Sequence, residues 1–217
     1  MFAAYFINIS LIAEWCALIA SILFLNKKTG IWQFFIPYLF LTVCTEIVGG
    51  YESYVLKVTN NALPYNILLI ISVVFFVYVL SNADLLKRFK KAFFIIIICF
   101  IVLSFINLFF LQGLWIYNSY SETIGDILLT IISCYFFYTI LKDDVFRDLF
   151  KDEYFWLVTG LLFSSIGSVL LYFFLSPLQV FAEKTHIPIY KYINNGVNLL
   201  LYINLIIAFI CRRANTK

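Results

Sequence analysis

Residues 92–112 read AFFIIIICFIVLSFINLFFLQ, an apolar run that contains no charged side chain. About 20 helical residues are needed to cross the hydrocarbon core of a bilayer, which is roughly 30 Å thick. Lys87, Arg88, Lys90 and Lys91 directly precede the run, as basic residues do at a cytoplasmic membrane boundary. The stretch therefore predicts a transmembrane helix with its first residues near the cytoplasm.

The rest of the chain has the same character. Of its 217 residues 64% are apolar and 12% are charged, and the mean hydropathy is +0.98. An average soluble domain has about 45–50% apolar and about 25% charged residues, so the excess apolar surface here must face lipid. We predict an all-α fold, a single domain over 1–217 that forms a bundle of seven transmembrane helices. The spans are expected at 3–25, 31–50, 63–83, 92–112, 123–141, 154–176 and 188–210.

The distribution of basic residues predicts the orientation. The loops after the first, third and fifth spans and the C-terminal tail hold twelve Lys and Arg residues, whereas the other loops hold only Lys57, Lys184 and Lys191. Cytoplasmic loops carry the excess of positive charge. The C-terminus is therefore expected in the cytoplasm and the N-terminus outside.

Polar side chains within the predicted spans gather in the outer half of the bilayer. Ionisable groups at this depth cost several kcal/mol unless they are paired or hydrated, so they mark candidate functional sites. We predict an outward-opening cavity that binds a small ligand. Its predicted lining is Glu14, Glu46, Asn66, Asp126 and Asn198. The alternative for each residue is a hydrogen bond that joins two helices.

Glu14 lies nearest to the predicted midplane, and no Lys or Arg lies at its depth. We therefore expect its carboxyl to be protonated at neutral pH or hydrogen-bonded to an amide of the last span, such as Asn198.

Aromatic residues are frequent in the outer connections. This pattern is typical of an interfacial belt, and it also suits an outward-facing aromatic pocket. The residues are Tyr51, Tyr54, Tyr65, Trp115, Tyr117, Tyr120, Tyr190 and Tyr192.

Small residues form a stripe on the sixth predicted span. Gly160, Ser164 and Ser168 are spaced four apart, with Gly167 beside them. Such a stripe lets another helix approach closely, either within the bundle or in a second copy of the chain.

Several classes of function are disfavoured by the residue types. The five cysteines lack the paired spacing of a metal or redox motif, and the only histidine, His186, lies in an outer loop. We therefore predict no metal and no cofactor. We also predict no nucleic-acid partner, because the net charge of +3 comes from scattered loop residues. An enzyme that uses paired intramembrane carboxyls stays open as a less favoured alternative.

Several short motifs carry a family resemblance. Thr45-Glu46-Ile47 is followed by Gly49 and Tyr51, Tyr65-Asn66 comes next, and Tyr154-Phe155-Trp156 is followed by Gly160 and Gly167-Ser168. Together they resemble a family of stand-alone seven-span membrane proteins of Bacteroidota. The resemblance implies a bacterial inner membrane and a sensory, signalling or defence-related context, and it assigns no role to any single residue.

The function that we predict is that of a non-enzymatic sensor, which binds a small ligand from outside and signals to a cytoplasmic or membrane partner. The cytoplasmic loop 142–153 is its expected transmitting surface. One alternative is an oligomeric membrane effector or pore, and another is an ion- or proton-coupled transporter.

Overall fold

The structure is a computed structural model that describes residues 9–25, 27–54, 56, 61–143 and 148–216. These residues contain helices and turns and no strand, so the all-α prediction is confirmed. The helices are α1 (Ile9–Phe24), α2 (Phe35–Tyr54), α3 (Ala62–Leu80), α4 (Lys90–Ile106), α5 (Ser119–Lys142), α6 (Glu153–Phe173), α7 (Leu175–Thr185) and α8 (Ile189–Asn215). A 3-10 segment, Lys27–Phe34, precedes α2, and a π turn, Asn107–Leu111, extends α4.

Six of these helices are long and apolar enough to cross a membrane: α2, α3, α4, α5, α6 and α8. This supports a multi-pass membrane protein. The described part of α1 is apolar but has only 16 residues, and residues 3–8 of the predicted first span lie outside the described residues. Seven spans and their orientation therefore stay a prediction.

Several helix boundaries differ from those predicted, among them the start of α5 and the connection after α6. α5 begins at Ser119 instead of 123, which adds a helical turn before the apolar run. The segment predicted as a loop after the sixth span contains α7, with Pro177 in its first turn, where a missing backbone N–H does no harm.

The long helices enclose a central space. α1 packs on α2, α2 on α3, α3 on α5, α5 on α6, α6 on α8, and α8 again on α1, while α4 packs outside α3 and α5. The order of contacts is thus a closed ring of six helices, in which α1 lies opposite α5.

Three glycines let helices of this ring approach closely. A Cβ atom on Gly125 would lie 2.6 Å from Cγ2 of Val73, and one on Gly160 would lie 2.8 Å from Cβ of Asn204. A Cβ on Gly167 would likewise meet Val197 at 2.6 Å. Gly160 and Gly167 of the predicted stripe therefore pack against α8 of the same chain, as small residues do between membrane helices.

A layer of aromatic rings fills the ring of helices toward the end where α8 terminates. Phe35 and Trp32 are fully buried and stack at 5.3 Å between ring centroids, and Phe209 lies 5.2 Å from Phe35. Phe75 and Tyr38 extend the layer toward the middle of the bundle, with their centroids 4.4 Å apart. This aromatic layer closes the centre of the bundle by direct side-chain packing.

Candidate functional site

A cavity of about 440 Å³ lies inside the ring on the other side of the aromatic layer. Tyr38 and Phe76 belong both to the aromatic layer and to the cavity wall, so the layer forms the cavity floor. The cavity lies in the half of the bundle that holds the C-terminal ends of α2 and α6 and the N-terminal ends of α3, α5 and α8. The basic segments around Lys87 and Arg212 lie at the opposite end.

Four carboxyl side chains line this cavity, namely those of Glu14, Glu46, Glu122 and Asp126. They come from α1, α2 and α5. Among the residues that the structure describes, no Lys, Arg or His lines the same wall. The cavity is therefore an acidic site without a basic counter-group of its own.

Each acid is held in a different way. Glu14 is only 3% exposed and accepts hydrogen bonds from the hydroxyls of Tyr202 and Ser10. The Tyr65 hydroxyl donates to Oε2 of Glu46 at 3.2 Å. Tyr65 can approach because Gly49, one turn beyond Glu46 on α2, lacks a side chain where the Tyr65 ring lies.

Glu122 forms a hydrogen-bonded group with Tyr117 and Tyr172. Burial raises the pKa of Tyr117 well above its ordinary value of 10.0, and the neighbouring Glu122 carboxyl adds to this effect. The hydrogen bond between the Tyr117 hydroxyl and Glu122 joins the loop before α5 to the cavity wall.

Three carboxyl oxygens in this site have no hydrogen-bond partner among the described residues: Oε2 of Glu14, Oε2 of Glu122 and Oδ2 of Asp126. Buried polar atoms in native proteins nearly always have a partner, so three orphaned acceptors on one cavity need a physical explanation. A bound ligand, ion or water that donates to them is the ordinary one.

Most of the predicted ligand-binding residues come together here. Glu14, Glu46, Asp126 and Asn198 all line the cavity. From the small-residue stripe, Ser164 and Ser168 line it as well. Whether these side chains bind a ligand stays a prediction.

Asn66 was predicted to line the cavity, and the structure places it elsewhere. It is fully buried and lies away from the cavity wall, because its amide is used elsewhere. Nδ2 donates to the carbonyls of Leu114 and Ile116 at 3.3 and 2.9 Å, and Oδ1 accepts from the Asn118 backbone N–H at 2.8 Å. Asn66 thus fastens the connection between α4 and α5 to α3, and is structural.

The predicted partner of Glu14 also differs. Its hydrogen bonds go to the hydroxyls of Tyr202 and Ser10, and neither is an amide. Asn198 lies one helical turn before Tyr202 on α8 and lines the same cavity. The longer tyrosine side chain spans the gap between α8 and α1.

Sequence reasoning missed Glu122 and several tyrosines. The predicted fifth span began at 123, which excluded Glu122 by one residue, although it lies four before Asp126 and hence on the same helical face. Of the predicted aromatic belt, Tyr65 and Tyr117 line the cavity, whereas Trp115, Tyr120 and Tyr192 are exposed. Some of the aromatic residues predicted in the outer connections therefore line the cavity, and others lie on the outer surface.

The comparisons with known proteins found no family model, curated protein or solved structure that matches this chain.

Proposed function

We propose that this protein is a non-enzymatic, receptor-like protein of a bacterial inner membrane, which binds a small ligand from the outer side and signals to a membrane or cytoplasmic partner. The observation that carries the proposal is the closed-bottom cavity with its four carboxyls. Its volume lies within the range of about 300–1,000 Å³ that is usual for small-molecule sites.

The distribution of charge supports access from outside. The cavity lies in the half of the bundle away from the Lys- and Arg-rich segments. If those segments face the cytoplasm, as the positive-inside rule requires, the cavity faces the outer side.

The aromatic layer offers a route for a signal. Tyr38 at the cavity floor packs on Phe35, Phe35 packs on Trp32, and Trp32 lies 5.2 Å from Tyr154 between ring centroids. Tyr154 lines a polar cleft of about 610 Å³ at the basic end of the bundle. These packed rings form a continuous contact between the cavity floor and the cleft, as coupling between the two sites requires.

The cleft supports a partner-binding role for the end of the predicted transmitting loop. Asp148, Lys151 and Asp152 line it together with Asp84 and Lys87. Residues 144–147 of the same predicted loop lie outside the described residues.

A transporter is the second candidate, because a cavity and a cleft on opposite sides of a closed layer are what alternating access requires. An oligomeric pore has less support, since Gly160 and Gly167 pack on α8 within the chain.

The test uses the full chain with the native cysteines replaced and a single cysteine at Ser168 in the cavity wall. We expect a membrane-impermeant maleimide to label Ser168→Cys in intact spheroplasts, and a library of small ligands to contain compounds that slow the labelling. The matched control is Ile116→Cys, which is exposed and whose labelling no ligand should slow.

Three results would contradict the proposal. Labelling of Ser168→Cys only in inside-out vesicles would reverse the access side. Accumulation of the protecting ligand in proteoliposomes would assign a transporter. A particle mass that is a multiple of the 25.3 kDa chain, together with ion leakage, would assign a pore.

A further inference from the structure

The four acids of the cavity form two pairs on facing walls. Glu14 on α1 and Glu46 on the adjacent α2 line the cavity from one side. Glu122 and Asp126 line it one helical turn apart on α5. Because α1 lies opposite α5 in the ring, the two pairs face each other across the cavity.

Orphaned acceptors are present in both pairs. Oε2 of Glu14 has no hydrogen-bond partner among the described residues although Glu14 is 3% exposed. Oε2 of Glu122 and Oδ2 of Asp126 also have no hydrogen-bond partner among these residues. A donor that also carries positive charge would satisfy these oxygens and offset the cost of burying the acids.

The arrangement does not suit one metal ion. In the part of the chain that the structure describes, no three acidic, His or Cys side chains stand close enough together to hold a metal. Hard cations such as Ca²⁺ or Mg²⁺ require about six oxygen ligands around one point. Two separated acidic pairs supply two points of negative charge instead.

The remaining wall suits an organic cation. Between polar residues it presents the apolar side chains of Leu69, Val73, Leu129, Leu161 and Leu201. The tyrosines on the wall provide aromatic faces, which attract ammonium groups, and hydroxyl oxygens, which accept from them. These tyrosines are Tyr38, Tyr65, Tyr117, Tyr172 and Tyr202.

We propose that the ligand is an aliphatic diamine or polyamine, bound with one ammonium group at the Glu14 and Glu46 pair and another at the Glu122 and Asp126 pair. The alkyl chain between the ammonium groups lies against the leucine-rich wall. This inference rests on the proposed function, because it names the ligand class of the same cavity.

Isothermal titration of the full chain in nanodiscs tests the ligand class. The probes are 1,4-diaminobutane, 1,5-diaminopentane and spermidine, with butylamine as the single ammonium and 1,4-butanediol as the neutral analogue. We expect a diamine or spermidine to bind at least tenfold more tightly than butylamine, and butanediol not to bind. Equal affinity for butylamine and the diamines would overturn the proposal.

Variants in each pair test the two-point binding. Glu14→Gln and Asp126→Asn should each lower the affinity for the best amine at least tenfold, to about that of butylamine, and the double variant should abolish binding. Both variants keep the side-chain shape and remove a buried acid, so the fold is expected to persist. The control is Glu183→Gln, on an exposed residue of α7, which should bind as wild type does.

Failure of this inference can be distinguished from failure of the proposed function. If a neutral or anionic compound slows labelling of Ser168→Cys while no amine does, the amine proposal is wrong and the receptor-like proposal stands. If Ca²⁺ or Mg²⁺ binds and Glu14→Gln abolishes it while amines do not compete, the ligand is a metal ion. If no compound binds or slows labelling, both proposals fail.

Discussion

Nη1 of Arg212, near the end of α8, lies 2.7 Å from Oε1 of Glu153, the first residue of α6. Nη2 of the same guanidinium donates to the Thr29 carbonyl at 3.1 Å. The other carboxylate oxygen, Oε2 of Glu153, accepts from Nδ2 of Asn215 at 2.6 Å. This network joins α6, α8 and the segment before α2 at the basic end of the bundle, beneath the aromatic layer.

The first prediction compares this ion pair with an exposed pair of equal length. Arg212→Met leaves Glu153 without its counter-charge, and the two side chains are only 25% and 10% exposed. We expect the free energy of unfolding in detergent to fall by about 3 kcal/mol. The pair between Lys151 and Asp148 is also 2.7 Å long but is 80% and 46% exposed, so Lys151→Met should leave the free energy of unfolding nearly unchanged. Equal losses would show that the burial of the Arg212 pair has no energetic weight.

The second prediction concerns Asn66. Asn66→Ala removes three hydrogen bonds to the 114–118 connection and leaves two carbonyls and one N–H without a partner. We expect a loss of about 2–4 kcal/mol in thermal or chemical unfolding. Affinity for a ligand of the cavity should stay within about twofold, because the side chain is not on the wall. Asn195→Ala, at a partly exposed position of α8, is the control. A stable variant that no longer binds ligand would return Asn66 to the site.

The third prediction tests where the small-residue stripe packs. Gly160→Ala places a Cβ 2.8 Å from Cβ of Asn204, and neither backbone can move without disturbing the contact between α6 and α8. We expect a loss of about 1–3 kcal/mol with the particle mass unchanged. Gly196→Ala is the matched control, since its Cβ would meet nothing within 4 Å, and its stability should stay within about 1 kcal/mol of wild type. A change in particle mass without a loss of stability would assign Gly160 to a contact between copies.

The fourth prediction concerns the aromatic layer. Phe35 is fully buried among aromatic rings, so Phe35→Ala should cost about 3–5 kcal/mol in unfolding. Phe40 lies on the same helix but is 60% exposed, and Phe40→Ala should cost less than about 1 kcal/mol in a lipid environment. Equal losses in the free energy of unfolding for the two variants would show that the aromatic layer is not the structural floor of the cavity.

The fifth prediction fixes the orientation. With the native cysteines replaced, Lys91→Cys at the exposed start of α4 should react with an impermeant maleimide only in inside-out vesicles. Ile116→Cys, in the connection before α5, should react only in intact spheroplasts. The reverse pattern would turn the bundle over and place the cavity on the cytoplasmic side.

The candidate site was largely predictable from helical spacing. Residues four apart share a helical face, and the cavity is built from such series. They are Tyr38, Thr42 and Glu46 on α2, Glu122 and Asp126 on α5, Ser164, Ser168 and Tyr172 on α6, and Asn194, Asn198 and Tyr202 on α8. Glu122 was missed because the predicted start of its helix lay four residues too late, since the apolar run used to predict the span begins after the helix itself does.

Asn66 shows what spacing cannot decide. Its depth and polarity match those of the cavity residues, but its partners are backbone atoms of residues 114–118, which the chain brings back only after α4 has packed outside α3. A buried amide can bond to a loop or face a cavity with the same local sequence around it.

The sequence by itself determined that the chain forms long apolar helices, because runs of about 20 uncharged apolar residues must satisfy their backbone hydrogen bonds internally in lipid. It also determined which faces carry polar groups, through the period of the helix. Only the tertiary structure decided that α1 and α5 face each other across one cavity and that Trp32 and Phe35 close it below. Those relations depend on which helices pack together, and in a membrane that choice is made by side-chain shape and small residues such as Gly160, since apolar surface alone favours no particular neighbour.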